Sequence, residues 1–201
     1  MRSTSLRGRP AATTHAAIEE AGFALFAAQG FEATTLDAIA AEIGVSRRTV
    51  TRYYASKNDI PWGQFDRTLD SFRLLLRDTP ADLPLWDRVH RGVVAFNDFP
   101  ANASPPHRER MRLILGTPAL QAHAVLRYRQ WRSVIAEYVA EQTGTTVEAS
   151  LPQLVGHVSL ALAMQAYERW LAAEPLEPVA DRDALLSILD QTLGELRAYL
   201  A

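Results

Sequence analysis

The sequence predicts an all-α protein built in two parts, and three observations carry that reading. Apolar residues recur at helical spacing in nearly every segment. No stretch of useful length alternates apolar and polar residues as a half-buried strand does. The breaks between segments fall on clusters of Gly, Pro and Thr. Hydrophobic residues make up 48% of the 201 positions and charged residues 22%, a balance that excludes a disordered or collagen-like chain. The chain has no cysteine, which excludes disulfide scaffolds, thiol nucleophiles, iron–sulfur clusters and thiolate zinc sites. No run of about 18 apolar residues is available to span a bilayer. The opening MRSTSLRGRP lacks the apolar core of a signal peptide, so a cytoplasmic setting is expected.

The elements follow in order. A helix is expected over 13–30, capped by Thr13 or Thr14, with Ile18, Ala21, Gly22, Leu25 and Phe26 on one face and Gly30 as its stop. Thr34 is expected to open a second, short helix, with Asp37 three residues on completing a capping box; Leu36, Ile39, Ala40 and Ile43 form its apolar face. Gly44 supplies a tight turn, Val45 can plug the core, and Ser46 caps a third helix, RRTVTRYY. Two short helices joined in this way are the sequence form of a helix-turn-helix. Ser56 is expected to cap a fourth helix running from Lys57 to about Arg77. Further helices are separated by breaks at 79–84, 100–106, 116–118, 143–146 and 174–179, giving roughly nine in all. The expected domain boundary lies between 57 and 58. Residues 1–57 hold seven Arg and Lys against five acids, while the remainder holds 14 against 18. A basic head on an acidic body hints at a polyanion partner for the head.

The stretch Leu36-x-x-Ile39-Ala40-x-x-x-Gly44-Val45-Ser46-x-x-x-Val50-x-x-Tyr53-Tyr54-x-x-Lys57, preceded by LFAAQGFEATT and followed by SKND, resembles the TetR family of DNA-binding regulators over about the first 65 residues. The strings RYYASKNDIPWG, MRLIL, TPALQA, RQWR and YERWL are similar to its mycofactocin-associated subgroup. The third helix is polar on its outer face, where Arg47, Arg48, Thr49, Thr51 and Arg52 are available, and Val50 anchors its inner face. Such a helix can enter a major groove, with Arg47 or Arg48 offering a bidentate fork to guanine and Thr49 meeting a thymine methyl. Ser46, Tyr53, Tyr54 and Lys57 at its two ends, and Thr34 and Thr35 at the start of the second helix, are candidate phosphate contacts, although Tyr54 is also a candidate core residue. Thr51 stands where the family often carries an aromatic residue. Arg7 and Arg9, on a Gly- and Pro-containing arm, could reach a minor groove.

Leu186, Leu189, Leu193, Leu196 and Leu200 fall at 3-4-3-4 spacing, a seam suited to another helix. The segment before it, LVGHVSLALAMQAY, is apolar nearly all round and so is expected to be covered on two sides. The resemblance implies a homodimer made by the last two helices of each subunit. For an effector, Arg108, Arg112, Arg127 and Arg132 with Trp131, Met164 and Tyr167 are read as an apolar pocket bearing an anion clamp, suited to an amphipathic anion such as an acyl-CoA.

Enzyme chemistry has no foothold in the sequence. The five histidines are scattered, no metal-binding set or HExxH occurs, no cofactor is called for, and neither a P-loop nor G-x-G-x-x-G is present. The expectation is a ligand-responsive transcriptional repressor, cytoplasmic and associated with the nucleoid. It would bind double-stranded operator DNA as a homodimer and touch no membrane. The rival is an all-α ligand- or lipid-handling protein whose helix-turn-helix is only structural.

Overall fold

The computed structural model describes residues 13–200, with the side chains of Tyr199 and Leu200 left aside. Arg7, Arg9 and the Leu200 side chain therefore lie outside the described residues. The described chain is helical throughout and divides into two compact units at Gly63–Gln64.

The first unit holds α1 (His15–Gln29), α2 (Leu36–Glu42), α3 (Arg47–Thr51) and a 3-10 helix (Lys57–Trp62). Thr14 caps α1 by accepting the Ala17 N–H, and Gly30, at φ 85°, ends it. Thr35 caps α2 by accepting the Ala38 N–H; Thr34, the expected cap, is buried one residue earlier. The shift removes the expected capping box, because Asp37 now stands at N2 and its side chain turns to Arg47. Ser46 caps α3 as the spacing predicts. Ile18, Phe26, Phe31, Leu36, Ile39, Val50, Tyr54 and Ile60 form the core of this unit. A Cβ added at Gly22 would stand 3.1 Å from Ile60, so α1 and the 3-10 helix pack closely there.

The expected long fourth helix is broken. Gly63 adopts φ 57° and ψ −140°, a conformation open essentially to glycine alone, and it separates the 3-10 helix from α4 (Phe65–Arg77). The 3-10 helix packs on α1, which draws it into the first unit and puts the division after Gly63.

The second unit holds α4, α5 (Leu85–Phe96), α6 (His107–Gly116), α7 (Pro118–Thr143), α8 (Ser150–Ala172) and α9 (Pro178–Leu200). Here the breaks fall where Pro, Gly and Thr clusters predict them. Pro118 opens α7, where a missing N–H costs nothing, and Gly144 closes it at φ 64°. The long α7 and α8 lie against each other, α9 packs on α8 and α5, and α4 bridges α5 and α7. The core runs through Leu69, Phe72, Leu76, Val89, Val93, Trp131, Ile135, Val139, Ala166, Trp170, Leu185, Leu189 and Leu193.

Candidate functional site

The surface of α3 follows from its single anchor. Val50 is fully buried, so Arg47, Arg48, Thr51 and Arg52 are left on the solvent side and Thr49 is half-buried. The Ser46 hydroxyl accepts the Thr49 N–H and lies 3.0 Å from the Thr49 hydroxyl, fixing the start of the helix. Thr51 donates to the Arg48 carbonyl. Arg47 donates to Asp37 of α2 at 2.9 Å, an exposed pair that ties the two helices. The side chains of Arg48 and Arg52 make no hydrogen bond or ion pair among the described residues. Thr35, exposed at the α2 cap, flanks this face.

Four expected phosphate contacts have other work. Thr34 is 1% exposed; its hydroxyl donates to the Gly30 carbonyl and accepts from Gln29. Tyr53 donates to the Thr13 carbonyl at 2.6 Å and packs edge-on against His15. Tyr54 is buried and donates to Glu19, itself buried in α1. Lys57 spends three N–H donors on the carbonyls of Phe31, Glu32 and Thr34 at 2.8, 3.0 and 3.1 Å, and its ammonium lies over the Phe31 ring. An ammonium has three N–H groups, so this lysine braces the turn between α1 and α2 and has none left for a phosphate. The sequence reading missed Glu19, His15 and Asp37 as partners. Their one visible signal is a carboxylate directly after the apolar Ile18 in the Glu19 case.

The expected anion clamp is not assembled. Arg108 is buried and bidentate on Asp181, with Nη2 at 2.7 Å from Oδ1; its Nη1 donates to the Ala173 carbonyl, and its guanidinium stacks over Trp170 at 4.2 Å. Burial alone would raise the Asp181 carboxyl, but the Arg108 bonds prevail and hold it below the usual range. Arg127 faces Asp66 at 3.5 Å. Trp131 is core, stacked on Phe72 at 5.3 Å. Arg132 and Met164 are half-buried, and Arg112 is exposed with no partner among the described residues.

A cavity of about 270 Å³ does lie in this unit, and of the expected set only Arg108 and Arg112 line it. Its other walls include Asn97, Phe99, His107, Trp170, Leu176 and Leu185. His107 is stacked on Phe99 at 4.1 Å, and its Nε2 lies 2.9 Å from the Tyr167 hydroxyl. Burial, with Arg110 nearby, pushes the His107 pKa down to about 3 against an opposing pull from Asp181, so the ring is neutral. Burial raises the Tyr167 hydroxyl far above its ordinary range.

The leucine seam divides. Leu189 and Leu193 are fully buried within their own chain, because α9 packs on α8 and α5; Leu186 and Leu196 are half-buried. Among the described residues α8 keeps an open apolar face, and Val125 and Leu126 of α7 are exposed as well. Leu151 and Leu154 are exposed, and Val155, Val158, Ala161 and Leu162 continue the strip at helical spacing.

Among the described residues no helix is long and apolar enough to cross a membrane. Residues 18–60 match the family described as bacterial regulatory proteins, tetR family, and residues 83–201 match the MftR C-terminal domain. The chain is 39% identical to a protein assigned as the mycofactocin biosynthesis transcriptional regulator MftR of Mycobacterium tuberculosis, over 94% of this chain and 96% of that one. SmeT, the repressor of the Stenotrophomonas maltophilia efflux pump SmeDEF, shares the fold with a TM-score of 0.56 at 18% identity, covering 91% of this chain and 90% of SmeT. FadR of Thermus thermophilus, a repressor solved with lauroyl-CoA, does so with a TM-score of 0.50 at 22% identity, covering 88% and 93%. TetR-family proteins are DNA-binding regulators rather than enzymes, and the match over residues 18–60 covers the helix-turn-helix built on α2 and α3. The chain belongs to the TetR family of bacterial transcriptional regulators, with a C-terminal domain of the MftR type.

Proposed function

We propose that this regulator represses transcription by holding operator DNA as a homodimer and leaves the DNA when a small molecule enters its second unit. The observation that carries the reading is the outer face of α3, where Arg48 and Arg52 stand exposed and uncommitted beside Arg47 and Thr51. A guanidinium fork matches guanine O6 and N7 in the major groove. The dimer is supported by the open apolar strip of α8, which a second copy would cover. Two α3 helices must stand about 34–36 Å apart to enter successive major grooves. An effector that binds better to a form with another separation shifts the population away from DNA.

The effector fits as an amphipathic molecule. The walls Phe99, Trp170, Leu176 and Leu185 suit an apolar body. A cavity of about 270 Å³ leaves the acidic head of an acyl-CoA-like ligand outside, beside exposed Arg112. Sedimentation of the protein with a labelled operator duplex tests the whole reading. Two chains per site, released by added acyl-CoA or a smaller apolar ligand, is the expected result. One chain per site, or operator affinity unmoved by every such ligand, would overturn it.

A further inference from the structure

A chain of hydrogen bonds determines the tautomer of His107, which lines the cavity. The Val93 carbonyl can only accept, so the Asn97 atom 2.8 Å from it is the amide nitrogen. The other end of that amide, Oδ1, can also only accept, and the Tyr167 hydroxyl 2.6 Å away must donate its single proton there. That hydroxyl can therefore only accept from His107, which places the ring proton on Nε2. The ring is neutral, so Nδ1 keeps a bare lone pair, and it makes no hydrogen bond among the described residues. Asn97 and Tyr167 are both buried, so water does not compete for this relay.

The surroundings narrow the ligand further. Two of the three lining arginines are already matched by acids, Arg108 by Asp181 and Arg182 by Asp98. Arg112 stays unmatched and is exposed, Glu109 and Ala101 also line the cavity, and the rest of the wall is mostly rings, leucines and prolines. A neutral acceptor set among aromatic faces selects a flat partner that brings its own O–H or N–H; a carboxylate or ether oxygen would meet the lone pair with another. The volume suits one or two rings.

We propose that this cavity binds a small aromatic hydrogen-bond donor, of the phenol or heteroaryl N–H class, whose proton is received by His107 Nδ1. The regulatory meaning of the site rests on the effector reading above; the binding itself does not.

Matched probes test it on the intact protein without DNA. Phenol, 4-ethylphenol and 2-naphthol are titrated calorimetrically against their methyl ethers, which keep the ring and lose the donor. Wild type is expected to bind the best phenol about tenfold more tightly than its ether. In His107→Phe, which keeps ring volume against Phe99, the preference disappears. Tyr167→Phe removes the group that fixes the tautomer and narrows the preference, which keeps the test available if the first variant does not fold. Ethers bound as tightly as phenols by wild type, no binding of any probe, or an undiminished preference in a folded variant would overturn the proposal. Operator release is read separately. Phenol preference without release would leave this site standing and remove its effector role; release by acyl-CoA with no phenol binding would remove the site and leave that role.

Discussion

Lys57 and Arg48 lie nine positions apart in the same basic head, yet their surroundings give them opposite jobs. Arg48 is exposed and unpaired, so Arg48→Ala should weaken operator binding by about 1–3 kcal/mol, relax preference at one base pair and leave the melting temperature unchanged. Lys57→Met should do the reverse. Three carbonyls lose their donor, which costs about 1–3 kcal/mol in thermal unfolding, while the salt dependence of DNA binding stays put. A salt slope lowered by about 1 would return Lys57 to the phosphates. His107 supplies a pH prediction. Its folded pKa, about 3, lies below the unfolded 6.5, so in that window the unfolded chain binds more protons. The stabilisation is complete above pH 6.5 and falls as pH drops, by on the order of 2 kcal/mol at pH 5. Asp181, also depressed, adds a loss at the acid end as pH falls through its own folded pKa. Urea titrations at pH 7 and 5 check the sign; equal stability at both would contradict it. The exposed arginine was legible in the sequence; the roles of Lys57, His107 and Asp181 were not, because each depends on a partner 23 to 73 positions away.

Among the elements, the caps and breaks were the legible part. Ser46, Gly44, Gly30, Pro118 and Gly144 act within a few residues of themselves, and local chemistry is what a sequence displays. The long fourth helix failed at Gly63, where a positive φ overrode an otherwise helical run. The leucine seam of α9 had the right spacing, but Leu189 and Leu193 are covered within their own chain: periodicity says that a face is covered, not by which chain. The open strip on α8 now carries the interface prediction. Leu151→Asp with Leu154→Asp should give folded monomers, since both side chains are exposed in the single chain. Leu189→Asp should instead unfold the second unit, because a fully buried leucine is replaced by a charge. Sedimentation with circular dichroism separates the two; a dimer that survives the α8 changes would move the interface elsewhere.

At the scale of the whole molecule, the two units carry different parts of the proposed regulator. One carries an exposed basic helix on a small braced core, the other a cavity inside a larger helical body. The family and the helix-turn-helix were legible because turn glycine, caps and aromatic pair fall together in one short stretch. The cavity was not, because its walls come from α6, α8, α9 and the loops between helices. In the proposed function α3 reads a base sequence. Selection of bound duplexes from a randomised pool, with wild type and Arg48→Ala in parallel, tests it most directly. The expected result is a palindromic site whose half-sites are centred about 10 base pairs or a multiple apart, with information lost at symmetric positions in the variant. No enriched site, or the same site enriched by both proteins, would contradict it.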